Sequence, residues 1–198
     1  VSSNLLIDPL PETVTVGGVE YAVNTDFRAG ILFELLITED HELSPAEKIA
    51  AGLGIWYPQL PDADPQEAWN AAVEFYCCGQ TPAERPKKAL KKGFTSRTYS
   101  YEYDAEHICA AFQSEYGIDL TSAEDLHWWR FRALFRGLSS DTEIVRIMGY
   151  RAADLSDIKS KEERARITRL KNIYALPSIL SDEEKAARAG ALFAGGIM

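Results

Sequence analysis

The side chains best suited to chemistry in this sequence are three cysteines, Cys77, Cys78 and Cys109, and three histidines, His41, His107 and His127. A metal site would need several of them to converge. His107 and Cys109 lie two residues apart in a stretch that reads as helix, whereas neighbouring ligands on one helix face stand three or four apart. Cys77 and Cys78 are adjacent and lack the spacing of a zinc knuckle, while His41 and His127 stand alone. The expectation is that no metal is bound and that the cysteines act as small apolar residues. Adjacent cysteines do not readily bridge each other, and three in a chain of this length match no disulfide framework, which points to a reducing cytosol. Nucleophilic catalysis has no better footing. The sequence contains no Gly-rich phosphate loop, nucleophile elbow or metalloprotease motif. Most of its carboxylates fall in the first turns of expected helices, where the helix dipole favours them. Neither catalysis nor a cofactor is expected.

Binding chemistry is better represented. His127-Trp128-Trp129-Arg130-Phe131-Arg132 joins aromatic and cationic side chains in one short strip. On a helix, Trp128 and Trp129 point about 100° apart, so Trp129 is assigned to the core and Trp128 to its edge. An exposed Trp128 with Arg132 beside it would make a protein-interface hot spot. Nucleic acid is a poor fit for the strip, because phosphate binding calls for a broad basic face. The net charge of −9 is segmented instead: residues 1–79 carry −11, residues 80–97 carry +5, and the remainder −3. A helix-turn-helix built from Asp141–Met148 and the helix after it would present Lys159–Arg169, where acids alternate with the basic residues.

These candidates need positioning elements. Residues 12–24 read as a β-hairpin, with Val14 and Val16, then Val19, Tyr21 and Val23, alternating around a Gly17-Gly18 turn. Its edge makes Val19 and Tyr21 further contact candidates. Thr25 is placed as the cap of a helix reaching about Glu39. Ser44-Pro45-Ala46-Glu47 is a capping box with proline at the first helical position, and Asp64-Pro65-Gln66-Glu67 repeats the device. Asp104 opens a helix that Gly117 ends. Thr121-Ser122-Ala123-Glu124 reads as a capping box for the most hydrophobic helix, which ends at Gly137. Asp141 caps a short helix closed by Gly149, Ser160 starts a charged helix ending near Ala175, and Ser181 starts a last Ala-rich one. The fold class is therefore mainly α, a helical bundle of about eight helices with one N-terminal β-hairpin.

At 198 residues with 46% hydrophobic and 26% charged residues, the composition is that of a globular chain able to bury a core. The expected organisation is a hairpin-plus-helix half (1–79), a basic linker (80–97) rich in proline and lysine, a helical half (98–180) and a C-terminal helix and tail (181–198). No run approaches the roughly 18 apolar residues that would span a bilayer, and Leu5-Leu6-Ile7 is too short for a secretory signal.

Read in order, these motifs resemble a known family. Leu5-Leu6-Ile7-Asp8-Pro9-Leu10-Pro11-Glu12 with its hairpin, then Asn24-Thr25-Asp26-Phe27-Arg28, look like the start of a small tail protein of Gram-positive siphophages and prophages. That family is named after the fifteenth gene product of a Listeria phage. Tyr99-Ser100-Tyr101-Glu102-Tyr103-Asp104, Ala110-Ala111-Phe112, Tyr116-Gly117-Ile118-Asp119-Leu120, Leu126-His127-Trp128-Trp129 and Phe131-Arg132-Ala133-Leu134-Phe135 continue the resemblance in family order, as do Ile147-Met148-Gly149-Tyr150-Arg151 and Tyr174-Ala175-Leu176-Pro177. The resemblance implies a tail assembly chaperone in the cytoplasm of the bacterial host. Such a protein binds the tape-measure protein and tail tube subunits, with self-association an option, and is absent from the finished virion. It implies no catalytic residues and neither nucleic acid nor membrane as partner. Two alternatives stand beside it: a structural tail or head-completion component of the virion, and a helical DNA-binding regulator.

Overall fold

Glycine at both central positions lets the chain reverse in two residues. Gly17 and Gly18 take φ of 57° and 83°, values that side chains disfavour. They join β1 (Thr13–Val16) to β2 (Val19–Ala22) in the register Val14↔Tyr21 and Val16↔Val19. The computed structural model describes residues 5–40, 42–80 and 97–177. Among these, seven helices follow the hairpin: α1 (Phe27–Thr38), α2 (Pro45–Trp56), α3 (Pro65–Tyr76), α4 (Ala105–Tyr116), α5 (Trp128–Arg136), α6 (Glu143–Ala152) and α7 (Lys161–Ile173). The expected mainly α class with one N-terminal hairpin is borne out. The helix expected from Ser181, most of the basic linker and His41 lie outside the described residues.

Local capping chemistry sets most helix starts. Ser44 and Glu47 form the reciprocal capping box ahead of α2, with the Ser44 N–H donating to the Glu47 carboxylate at 2.8 Å. Asp64 and Ser160 cap α3 and α7 through the N–H groups of Gln66 and Glu163. Gly117, at φ 67°, ends α4. At α1 the cap is Asp26 rather than Thr25, accepting from the Arg28 N–H at 2.8 Å.

Two boundaries depart from expectation. The Thr121 capping box does not start α5, because Asp119 captures both hydroxyls first: Thr121 Oγ1 donates to it at 2.6 Å and Ser122 Oγ at 3.0 Å. The chain then runs without helix, through a positive φ of 55° at Asp125, as far as His127, where Leu126 O accepts from the Phe27 N–H (2.9 Å) and the Trp128 N–H donates to Thr25 O (2.7 Å). Gly149 does not close α6 either. The helix runs on to Ala152, since Arg151 in its last turn is gripped from three sides.

One buried apolar cluster joins the hairpin (Val16), α1 (Phe27, Phe33), α2 (Trp56), α3 (Phe75), α4 (Phe112), α5 (Trp128, Phe131) and α6 (Ile144). Phe131 is its hub, with ring centroids 4.9 Å from Phe112, 5.1 Å from Phe27 and 5.8 Å from Trp128. Residues from both sides of the basic linker thus share one core. α7 is peripheral: it packs on α6, and Ile167 is its only buried residue.

Candidate functional site

The aromatic side chains of the strip point inward, while Arg130 is exposed. Trp128 has no exposed surface and Trp129 is buried as well. Their roles follow from the C-terminal end of α3, where the turn after the helix answers Phe75 O through the Cys78 N–H at 2.9 Å and the last turn carries no basic residue. α5 adds side-chain donors to the last carbonyls of α3. Trp129 Nε1 donates to Phe75 O at 2.8 Å, Trp128 Nε1 to Tyr76 O at 3.0 Å, and Arg132 Nη1 to Tyr76 O at 2.6 Å. Trp128, expected as an exposed anchor, is instead a core residue that also caps a neighbouring helix. Its type and spacing did not reveal this, because the acceptors lie more than fifty residues away.

Around Arg132 lies a half-buried polar cluster. The guanidinium stands 5.2 Å from the Tyr76 ring centroid and 5.4 Å from that of Trp128. The Tyr76 hydroxyl donates to the Glu34 carboxylate. Burial, reinforced by Glu34, pushes the Tyr76 and Tyr99 phenols well above their ordinary value, and burial likewise raises Tyr101. Burial also pushes the Cys78 thiol up, against the pull of Arg132 and Arg136. The arrangement binds α1, α3 and α5 together.

A second buried hub is Arg151. It makes a bidentate pair with Asp104 at 2.6 and 2.9 Å, and donates to Thr98 O (3.0 Å) and Tyr174 O (2.6 Å). Asp104 also accepts from the Ser100 N–H at 2.9 Å. Sequence reading missed this hub: Asp104 reads as the start of a helix, and Arg151 enters only as the last residue of a family motif.

The hairpin is where exposed surface and concavity coincide. Val19 is 54% exposed and Tyr21 half-buried. A cleft of about 380 Å³ opens beside β1, lined by Pro11, Thr13, Val14 and Thr15, by Glu20 opposite Thr15, by Ala71, Glu74 and Phe75 of α3, and by Gly79 and Trp129. Of the candidate contact residues, Val19 and Tyr21 flank this region on β2, and Arg132 is drawn into the α3 end. The residues that form the cleft were not singled out by sequence, apart from Trp129, which was assigned to the core. Other exposed apolar side chains are Leu6 (92%), Ile7 (78%), Leu60 (66%), Leu32 and Ile173. A smaller apolar hollow of about 140 Å³ separates α1 from α4, between Ile31, Tyr101, Ile108 and Leu120.

Among the described residues, no group of three His, Cys, Asp or Glu side chains could hold a metal, and no helix is long and apolar enough to cross a membrane. All three cysteines are free thiols.

The ordered motifs meet in space. Thr25 to Phe27 bond to Leu126 to Trp128, and His127 Nε2 lies 3.0 Å from Pro11 O. The segments at Tyr99–Asp104, at Arg151 and at Tyr174 converge on the Arg151 guanidinium. No curated protein and no solved structure matches the chain. Residues 6–176, a span that includes every one of these contacts, match the family described as Bacteriophage Gp15 protein, and the chain belongs to that family.

Proposed function

We propose that this chain is a non-catalytic tail assembly chaperone, acting in the cytoplasm of the bacterial host on the tape-measure protein, tail tube subunits or both. Its membership in a bacteriophage family supports a role in building or forming the particle. The observation that carries the assembly reading is the hairpin cleft, which joins apolar walls to open polar edges, with Val19 exposed on the neighbouring strand. Mixed surfaces of this kind hold a partner until a better contact displaces it.

Co-expression with the tail tube and tape-measure genes of the same phage, followed by affinity capture, tests the reading. Capture of either protein, together with an increase in its soluble fraction, is the expected result. Mass spectrometry of purified virions separates a chaperone, which is absent, from a structural component, which is present in stoichiometric amounts.

A further inference from the structure

The cleft beside the hairpin offers unpaired strand backbone. A two-residue turn makes Val16 and Val19 a hydrogen-bonded pair, and antiparallel alternation then makes Val14 and Tyr21 the next one. The bond from the Val23 N–H to Glu12 O, at 3.0 Å, continues the same series. Thr13 and Thr15 are therefore the non-bonded positions of β1, and their N–H and C=O groups point away from β2. Both residues line the cleft, on the strand that packs against α3.

A free strand edge next to a side-chain pocket is the combination that strand addition uses. Main-chain bonds hold the incoming segment and the pocket selects its side chain. Here the pocket wall is Phe75 and Trp129, fixed to each other through Trp129 Nε1 and Phe75 O. Gly79 forms one end of the cleft at φ 70°, a conformation that side chains rarely adopt, beside the Trp129 ring. The charge is one-sided. Glu20 and Glu74 are exposed and border the cleft, and no cation is among its described lining residues. The surrounding 79 residues carry a net −11.

Resting on the chaperone reading, the geometry points to a specific occupant: an extended, basic segment of a tail protein that joins β1 as a third strand. One of its apolar side chains lies against Phe75 and Trp129, and a lysine or arginine reaches Glu20 and Glu74. A third strand also fits the hairpin's own need, since two strands alone are marginal in water.

The test uses the full chain, isotope-labelled, titrated with tiled peptides of about 15 residues from the tube and tape-measure proteins, each long enough for a strand with flanks. The peptides that bind should be basic and should slow amide exchange at Thr13 and Thr15 at least about tenfold. The double variant Glu20→Lys, Glu74→Lys changes only exposed side chains and should weaken binding by about tenfold or more. Thr15→Pro removes an outward N–H without removing a hairpin bond and should act the same way. If Thr15→Pro does not fold, the charge-reversal variant decides alone. Binding that leaves Thr13 and Thr15 exchange unchanged, or that selects acidic peptides, overturns the strand-addition site and leaves the chaperone reading standing. Failure of the intact tube and tape-measure proteins to bind at all removes the chaperone reading, and this site with it.

Discussion

A guanidinium with 8% of its side-chain surface exposed persists only when its charge and its donors are answered, and Arg151 meets that condition with one carboxylate and two carbonyls. Removing one partner leaves the other buried without compensation. Arg151→Met should therefore destabilise the fold by about 3–5 kcal/mol, read as a lowered urea midpoint, and adding Asp104→Asn to it should recover part of the loss. His127 gives a titratable counterpart. Its Nδ1 accepts the Trp129 N–H at 3.0 Å, so Nε2 carries the proton toward Pro11 O. Burial lowers its pKa from the ordinary 6.5, against the opposing pull of Pro11 O and Glu12. As pH falls through 6.5 the unfolded chain takes up a proton that the folded chain resists, so stability falls toward acid. Urea midpoints should drop between about pH 7.5 and about pH 5.5, around the histidine range. His127→Asn keeps an N-cap acceptor but does not titrate, and should flatten that part of the curve. Neither role was legible beforehand, because each depends on a partner remote in sequence: Asp104 and Tyr174 for Arg151, Pro11 for His127.

At the scale of elements the sequence was far more readable, and the reason is that caps and turns are local. Ser44-Pro45-Ala46-Glu47, Asp64-Pro65, Gly17-Gly18 and Gly117 all act where they stand. The errors came where another partner, local or tertiary, outcompeted the local signal. Thr121 and Ser122 had a nearer acceptor in Asp119 than any helix could offer, and Gly149 was outweighed by the tertiary grip on Arg151. Close helix approach was equally hidden. Gly30 lies under the Trp128 indole so tightly that a Cβ there would stand 2.2 Å from the ring. A methyl at this crossing must displace a fully buried tryptophan. Gly30→Ala should cost about 1–3 kcal/mol or more, whereas Gly54→Ala in α2, with open space around it, should be neutral or slightly stabilising. Paired thermal melts of the two variants check the contrast.

At the scale of the whole molecule, many of the residues that carried the family resemblance proved to be interior, while Leu6 and Ile7 of the first motif lie exposed. Phe27, Phe112, Trp128, Phe131 and Arg151 all belong to quoted motifs and all are buried. That is why the fold class could be read and the binding surface could not: the motifs record how helices pack, while the cleft is assembled from Thr13, Thr15, Glu20 and Glu74, which look like any solvated residues. Trp128→Ala should accordingly act as a core deletion, costing about 3–5 kcal/mol, so any loss of partner capture should track unfolding measured on the same sample. The docking of α5 between α1 and the end of α3 also has a consequence for synthesis. Phe27 bonds to a residue 99 positions downstream, and the indole donors that reach Phe75 O and Tyr76 O come from side chains more than fifty positions further on. A nascent chain that has emerged only as far as Gln80 carries the hairpin and three helices with their aromatic faces bare, and such long-range closure is slow. Ribosome-bound chains stalled there should be cut readily by protease, and resistance should appear once Gly137 has cleared the exit, so the first half of this protein spends much of its translation in need of shelter itself.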